Sequence, residues 1–345
     1  MWLDQSAKAR WLLGYEVTMD FSRNADNALA CIFSVAGHSL SDDERALFKE
    51  ADPFGFILFG RNCDTPEQIR ALTDDLKDVV GRDCPILIDQ EGGRVQRLKP
   101  PHWQQHKPMK HYGDLWNDSP PNAKISLKND TDRLCAELLS SGINTNCAPV
   151  MDVLTDTTHD VIGNRAFCTN PDSVAALGEI VCMQFLQNNI TPIIKHVPGH
   201  GRAASDSHLE LPIVDAPLDA LIESDFKPFM HALPPSVWAM TAHIIFTALD
   251  ADLPVSISTK AIAIIRDIIG FEGVLVGDDL DMKALDPYGT VPERALKTIE
   301  AGCDLALYCW ADMKIMQEIA ENCSKLRPET LKRLQNGAKM WDKVA

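Results

Sequence analysis

The stretch Ile193-Ile194-Lys195-His196-Val197-Pro198-Gly199-His200-Gly201 joins a short apolar run to a loop of proline and glycine. The apolar residues predict a buried parallel strand, and the Pro-Gly pair predicts that this strand ends just after Lys195 and His196. The loop continues to Asp206-Ser207-His208. Because α/β proteins place their chemistry where strands open into loops, this stretch predicts both the fold class and the location of the functional site.

Apolar runs of the same type recur along the chain and alternate with amphipathic segments of helical period. The predicted strands are 30–35, 54–59, 85–89, 143–149, 192–196, 237–243, 273–278 and 303–307. The predicted helices include 42–50, 66–80, 172–187, 217–231, 259–269 and 293–301, and Ser41, Thr65 and Asn170 are suited to cap three of them. This alternation predicts an α/β protein with a (β/α)8 TIM-type barrel in a single domain. An open doubly wound sheet is the alternative, which the lack of G-x-G-x-x-G after the first strand disfavours.

Composition limits the classes of function. The chain has 345 residues, 45% of them hydrophobic, with no compositional break, so we expect one catalytic barrel with C-terminal helices at 28–345. Residues 1–27 carry no matching periodic pattern and are an unassigned N-terminal extension. The net charge of -16 disfavours nucleic-acid and membrane partners. The 10 cysteines include no C-x-x-C pair, which predicts reduced thiols and a cytoplasmic protein. We expect a monomer without a cofactor.

Polar side chains follow several of the predicted strands. Asp89, Asp152, His196 and His243 stand at the ends of four of them, and a fifth runs into Asp278-Asp279. In a barrel these ends share one face, where so many charges are tolerable only if they pair or meet a ligand. Taken singly, Asp89 and Asp152 are equally compatible with helix caps or loop positions. Adjacent strand residues point to opposite faces, so one acid of the last pair can face the barrel mouth, and we assign Asp278.

Asp206 and His208 are two residues apart, which places their side chains on the same side of an extended loop. The carboxylate can then accept the imidazole N–H and make the other ring nitrogen a general acid/base. A carboxylate facing such a pair is suited to cleaving a glycosidic bond. A metal site formed by His196, His200, Asp206 and His208 is the competing interpretation, although their spacing fits no standard zinc pattern.

Six motifs resemble the bacterial β-N-acetylglucosaminidases of glycoside hydrolase family 3, of the single-domain type found in peptidoglycan recycling. They are GFILFGRN (55–62), IDQEGGRVQR (88–97), APVMDV (148–153), IGNRAF (162–167), the segment 195–208, and GDDLDM (277–282). They occur in the family's order, and the similarity spans residues 29–310. Two positions depart from the usual pattern: Gly277 replaces a serine, and Val197 replaces an aromatic residue.

The resemblance implies a retaining enzyme with a covalent glycosyl intermediate and no metal. Asp278 would be the nucleophile, and His208 the acid and then the base, oriented by Asp206. The substrate implied is an amino-sugar or small muropeptide, N-acetylglucosamine linked to 1,6-anhydro-N-acetylmuramic acid with or without peptide. Its non-reducing sugar would be held by five further residues, which are Asp89, Arg97, Arg165, Lys195 and His196. A phosphorylase using the same residues and a non-catalytic sugar-binding barrel are the alternative functions.

Overall fold

The computed structural model describes residues 20–207, 209–231 and 233–342. Of the predicted features, the catalytic candidate His208 and the first 19 residues of the N-terminal extension lie outside this described part. Residues 20–27 form turns, and the Phe21 ring packs edge-on against Trp238, with ring centroids 5.8 Å apart. The last segment of the extension therefore lies against the barrel wall.

Eight parallel strands close into a barrel, and they are β1 (Leu29–Ser34), β2 (Pro53–Leu58), β3 (Ile86–Ile88), β4 (Thr145–Asn146), β5 (Thr191–Val197), β7 (Trp238–Thr241), β9 (Leu275–Asp279) and β10 (Leu305–Leu307). Around the barrel they follow the order β1-β10-β9-β7-β5-β4-β3-β2. Two further short strands, β6 (Ile213–Val214) and β8 (Ile245–Phe246), pair with each other outside the barrel. The predicted TIM-type barrel is confirmed, and each of its strands overlaps one of the eight predicted runs.

The helices surround this barrel. They are Asp42–Ala51, Pro66–Val80, Met109–Asp118, Pro120–Ser140, Pro171–Gln187, Leu218–Glu223, Thr259–Asp267, Val291–Ala301, Met313–Asn322 and Pro328–Asp342. The predicted caps are confirmed, because the side chains of Ser41, Thr65 and Asn170 each accept a hydrogen bond from the backbone amide three residues later. No helix of the described segments is long and apolar enough to cross a membrane.

Two predicted helices are longer than the observed ones. The helix predicted at 217–231 ends at Glu223 and is followed by turns, and the one predicted at 259–269 ends at Asp267. In the first case Pro228 lacks a backbone donor and disfavours helical geometry in the residue before it. In addition, the buried carboxylate of Asp225 accepts a hydrogen bond from Nε of Arg202 at 2.6 Å. This tertiary contact ties the segment to the loop after β5.

The apolar runs become strands that are buried on both faces. All residues of β1, β2 and β5 are buried, as expected for a parallel sheet covered by helices. Phe48 on the helix Asp42–Ala51 packs against Phe56 of β2 with ring centroids 4.9 Å apart. Because all eight strands run in one direction, their carboxyl ends meet at one mouth, and that mouth carries the polar residues.

Candidate active site

A cavity of about 490 Å³ opens at the carboxyl ends of the barrel strands. Seven of the eight predicted site residues line it, which are Asp89, Arg97, Arg165, Lys195, His196, Asp206 and Asp278. They come from β5, from β9 and from the loops that follow β3, β4 and β5. The structure therefore brings together residues that are far apart in the chain. The eighth, His208, lies outside the described residues, so its pairing with Asp206 stays a prediction.

Ionic contacts join the residues after β3 to Lys195 of β5. Lys195 Nζ lies 2.8 Å from Asp89 Oδ1 and 2.6 Å from Glu91 Oε1. Arg97 Nη2 lies 3.1 Å from the other oxygen of Asp89, and Arg165 binds Glu91 through two hydrogen bonds of 2.9 Å. Each cation thus has a carboxylate partner, which is the condition under which charges are tolerated in a buried site.

The pairing keeps these groups ionised. Burial would raise the pKa of Asp89, but the charges of Lys195 and Arg97 outweigh it and hold the pKa well below its usual range. Burial likewise opposes the charge of Lys195, but Asp89 and Glu91 raise its pKa above the ordinary value. At neutral pH the cavity floor therefore presents fixed positive and negative charges side by side. Such groups can donate to and accept from neighbouring sugar hydroxyls.

Asp152 organises the histidines of the loop after β5. Its carboxylate accepts from His196 Nδ1 at 2.8 Å and from the backbone amides of His196 and His200 at 3.1 and 2.7 Å. Burial opposes ionisation of Asp152, but His196 outweighs it and the pKa falls to about 2. Since Nδ1 of His196 is bound to this carboxylate, Nε2 is the ring nitrogen left to hydrogen-bond a substrate hydroxyl.

His200 links the strand end to the segment that carries the predicted acid/base. Its Nε2 lies 3.2 Å from the hydroxyl of Ser207, between Asp206 and His208 in the chain. Both His200 and Ser207 are buried. Burial lowers the pKa of His200 to about 4, with the neighbouring His196 contributing, so the ring is neutral at neutral pH. The loop is therefore held at its centre by a hydrogen bond between neutral groups.

The acids at the end of β9 have separate environments. Asp278 lines the cavity, whereas Asp279 accepts hydrogen bonds from the backbone amide of Cys309 at 3.0 Å and from Trp310 Nε1 at 3.1 Å. Burial raises the pKa of Asp279 to about 6, and the charge of Asp278 adds to the rise. The assignment of Asp278 to the mouth agrees with this geometry, since only Asp278 of the pair lines the cavity.

Two other interpretations of the strand ends are corrected by the structure. His243 does not line the cavity: its Nδ1 lies 2.6 Å from Ser256 Oγ and its Nε2 lies 2.9 Å from the carbonyl oxygen of Asp279. Both ring nitrogens are thereby engaged in supporting the end of β9. Asp89 and Asp152 are not helix caps, because their carboxylates bind Lys195 and His196.

Sequence reasoning gave Glu91, Asp152 and His200 no role in a sugar site. Glu91 stands two residues after Asp89, and this spacing is a signal that both side chains point the same way. No comparable signal identifies the partners of Asp152 and His200, because those contacts cross between loops. Among the described residues, no group of three or more His, Cys, Asp or Glu side chains is arranged to hold a metal ion. The fourth ligand of the competing metal site, His208, is outside that set.

Comparison with known proteins agrees with the six motifs. The family described as "Glycosyl hydrolase family 3 N terminal domain" matches residues 26–339. A β-hexosaminidase from Alkalilimnicola ehrlichii is 37% identical over 281 residues, which cover 81% of this chain and 80% of that protein. A β-hexosaminidase from Thiobacillus denitrificans is 34% identical over 280 residues, which cover 81% and 77% of the two chains.

Solved structures show the same likeness in three dimensions. NagZ from Neisseria gonorrhoeae, in complex with N-trifluoroacetyl-D-glucosamine, superposes with a TM-score of 0.81 at 30% identity and covers 92% of this chain and 94% of its own. A family 3 β-N-acetylglucosaminidase from a Paenibacillus species gives a TM-score of 0.79 at 28% identity, with 95% of this chain and 60% of that one covered. The chain therefore belongs to glycosyl hydrolase family 3, among its bacterial β-N-acetylhexosaminidases.

Proposed function

We propose that this protein is a retaining exo-β-N-acetylglucosaminidase. Its proposed substrates are peptidoglycan fragments, N-acetylglucosamine linked to 1,6-anhydro-N-acetylmuramic acid with or without peptide. The observation that carries the proposal is the cavity itself, which is lined both by Asp278 and by the ion pair of Asp89 and Lys195. One carboxylate is thus exposed to a ligand while the neighbouring groups are suited to holding sugar hydroxyls. The resemblance of the six motifs to recycling enzymes supports the choice of substrate.

In the first step Asp278 attacks the anomeric carbon, and the bond from that carbon to the leaving oxygen breaks. His208, oriented by Asp206, gives its proton to the leaving oxygen, so the leaving group departs as a neutral alcohol. The product of this step is a glycosyl ester on Asp278. Because His208 is then neutral, it can accept a proton in the next step.

In the second step a water molecule attacks the same carbon and gives its proton to His208. The ester bond breaks, Asp278 is again a carboxylate, and two inversions leave the sugar with its original β configuration. The link from His200 to Ser207, at 3.2 Å, supports this cycle because it holds the segment between Asp206 and His208. His200 acts through Ser207 and is a positioning residue.

Recognition of the non-reducing sugar falls to the other polar groups that line the cavity. Asp89 can accept from hydroxyls, Arg97, Arg165 and Lys195 can donate, and Nε2 of His196 can form a further hydrogen bond. Their mutual ion pairs fix their positions before substrate arrives, so little ordering remains to be done on binding. The relative solved with N-trifluoroacetyl-D-glucosamine supports an amino-sugar as the bound unit.

A cytoplasmic location belongs to the same proposal. The structure holds all 10 cysteines as free thiols, six of them buried. Free thiols in this number are typical of proteins in a reducing compartment.

The experiment that tests the proposal compares nitrophenol release from the β-N-acetylglucosaminide and the β-glucoside in phosphate-free buffer. We expect turnover of the first substrate only, and its loss in Asp278→Ala. Asp267→Ala, an exposed acid at the end of the helix Thr259–Asp267, is the matched control and should retain wild-type rates. Turnover only after phosphate is added would identify the phosphorylase, and no turnover under either condition would identify the sugar-binding barrel.

A further inference from the structure

Trp310 presents a fixed aromatic face at the barrel mouth. Its side chain follows β10 by three residues, and the residue is 56% exposed. Among the large exposed apolar residues of the described segments, Trp310 is the only aromatic one. The neighbouring Cys309 lines the cavity, so the exposed ring stands at the cavity's rim, where a ligand can contact it.

A hydrogen bond fixes the orientation of the indole. Its Nε1 donates to Oδ2 of Asp279 at 3.1 Å, and Oδ1 of the same carboxylate accepts from the amide of Cys309 at 3.0 Å. The side chain therefore loses little conformational freedom when a ligand stacks on it. Cys309, the neighbour of Trp310, lines the same cavity as the proposed nucleophile Asp278.

The barrel order places Trp310 across the mouth from three of the five proposed sugar-binding groups, Asp89, Arg97 and Arg165. Asp89 follows β3 and Arg165 follows β4, and in the closed order β9 lies four strands from β3 and β10 lies four strands from β4. A sugar that is held on the β3–β4 side, with its anomeric carbon at Asp278, therefore has its leaving group over the β9–β10 rim. Cys309, next to Trp310, lines the cavity on that side.

We propose that Trp310 is the platform on which the first sugar ring of the leaving group stacks. This inference rests on the proposed function and adds to it a specificity-determining residue for the leaving-group side. The C–H faces of a pyranose ring are apolar, and a rigid indole offers them a large flat area. A substrate with a pyranose leaving group thus gains a contact that a substrate with a methyl leaving group lacks.

The test compares two substrates in wild type, Trp310→Ala and Trp310→Phe. The first substrate is N,N′-diacetylchitobiose, whose leaving group is a pyranose, and the second is methyl β-N-acetylglucosaminide. The measured quantity is the ratio of their kcat/KM values, because a general structural effect changes both values equally and leaves the ratio unchanged. Ile125→Ala removes an exposed apolar side chain from the helix Pro120–Ser140 and is the control for loss of apolar surface.

We expect Trp310→Ala to lower the ratio about tenfold, in line with the usual contribution of an aromatic contact. Trp310→Phe keeps a ring but lacks the N–H that binds Asp279, so it should stay within about twofold of the wild-type ratio. An unchanged ratio of kcat/KM values in Trp310→Ala, or an equal fall of that ratio in Trp310→Ala and Trp310→Phe, would contradict the proposal that the leaving group stacks on Trp310. Failure of the wild type to hydrolyse either substrate would instead refute the proposed function.

Discussion

At the scale of single residues, Asp278 and Asp279 show how one step along a strand separates two roles. Asp278 lines the cavity, and Asp279 binds the amide of Cys309 and the indole of Trp310. The alternation of a strand predicts that their side chains diverge, and a preference for Asp278 followed from that alternation and the resemblance. The partners of Asp279 come from a loop 30 residues away and have no signature in the local sequence.

Asp279→Asn should change how stability depends on pH. The pKa of Asp279 is raised from its ordinary value of 3.8 to about 6, mainly by burial. The group therefore contributes stability that is fully present below pH 4 and is lost as the pH rises through 6. The free energy of unfolding of Asp279→Asn minus that of wild type should therefore be larger at about pH 7 than at about pH 4. Urea denaturation of both proteins at the two pH values measures this difference. A difference that does not change with pH would contradict the raised pKa of Asp279.

Ser207→Ala should lower kcat more than it changes KM. The hydroxyl of Ser207 is bound to His200 at 3.2 Å, and it lies between the residues proposed to transfer the proton. Loss of one such hydrogen bond typically corresponds to about a two- to tenfold effect. Steady-state kinetics with the nitrophenyl substrate measure both constants, with Ser205→Ala of the same loop as the control. An equal effect of the two substitutions, or an effect on KM alone, would contradict this role.

At the scale of elements, β9 and the helix Val291–Ala301 meet at Gly277. A Cβ at position 277 would lie 2.7 Å from Cγ2 of Thr298, which is inside van der Waals contact. The methyl group of Thr298 thus occupies the space that a side chain at position 277 would need, which explains why glycine stands here in place of serine. The strand runs themselves were predictable, but this fit between strand and helix was not, because it depends on two residues from different elements that are far apart in the chain.

Gly277→Ser should destabilise the protein by about 1–3 kcal/mol, the usual cost of overpacking. Thr298→Ser removes the opposing methyl group and should recover most of that loss in the double variant. Thermal or urea unfolding of the four proteins in the double-mutant cycle gives the coupling free energy. If the losses of unfolding free energy in the two single variants simply add in the double variant, the methyl group of Thr298 is not what excludes a side chain at position 277.

At the scale of the whole molecule, the barrel was predictable from eight apolar runs and the segments between them. The helices Met109–Asp118 and Pro120–Ser140 were not predicted. Pro120–Ser140 has polar residues interrupting its apolar face, so its helical period is weak. The seven described site residues were predicted by position in the family motifs, whereas their ion pairs arise only when the barrel closes and brings its strand ends to one mouth.

Bound N-acetylglucosamine should stabilise the whole barrel, because its proposed ligands come from several strands and are together only in the folded state. At about 100 times the dissociation constant the gain is about 2.7 kcal/mol. We expect the sugar to raise Tm in wild type and to raise it less in Arg97→Ala, which lacks one proposed contact. Glucose, without the acetamido group, is the control ligand. Equal shifts by the two sugars would contradict amino-sugar recognition.

The covalent role of Asp278 is the central claim, and labelling of the enzyme tests it most directly. The reagent is a 5-fluoro-N-acetylglucosaminyl fluoride, whose ring fluorine slows hydrolysis of the ester more than its formation. Peptide mapping by mass spectrometry should locate one N-acetylhexosaminyl group, with its fluorine, on Asp278. A label on any other side chain, or turnover of the reagent with no label at any time point, would contradict the account.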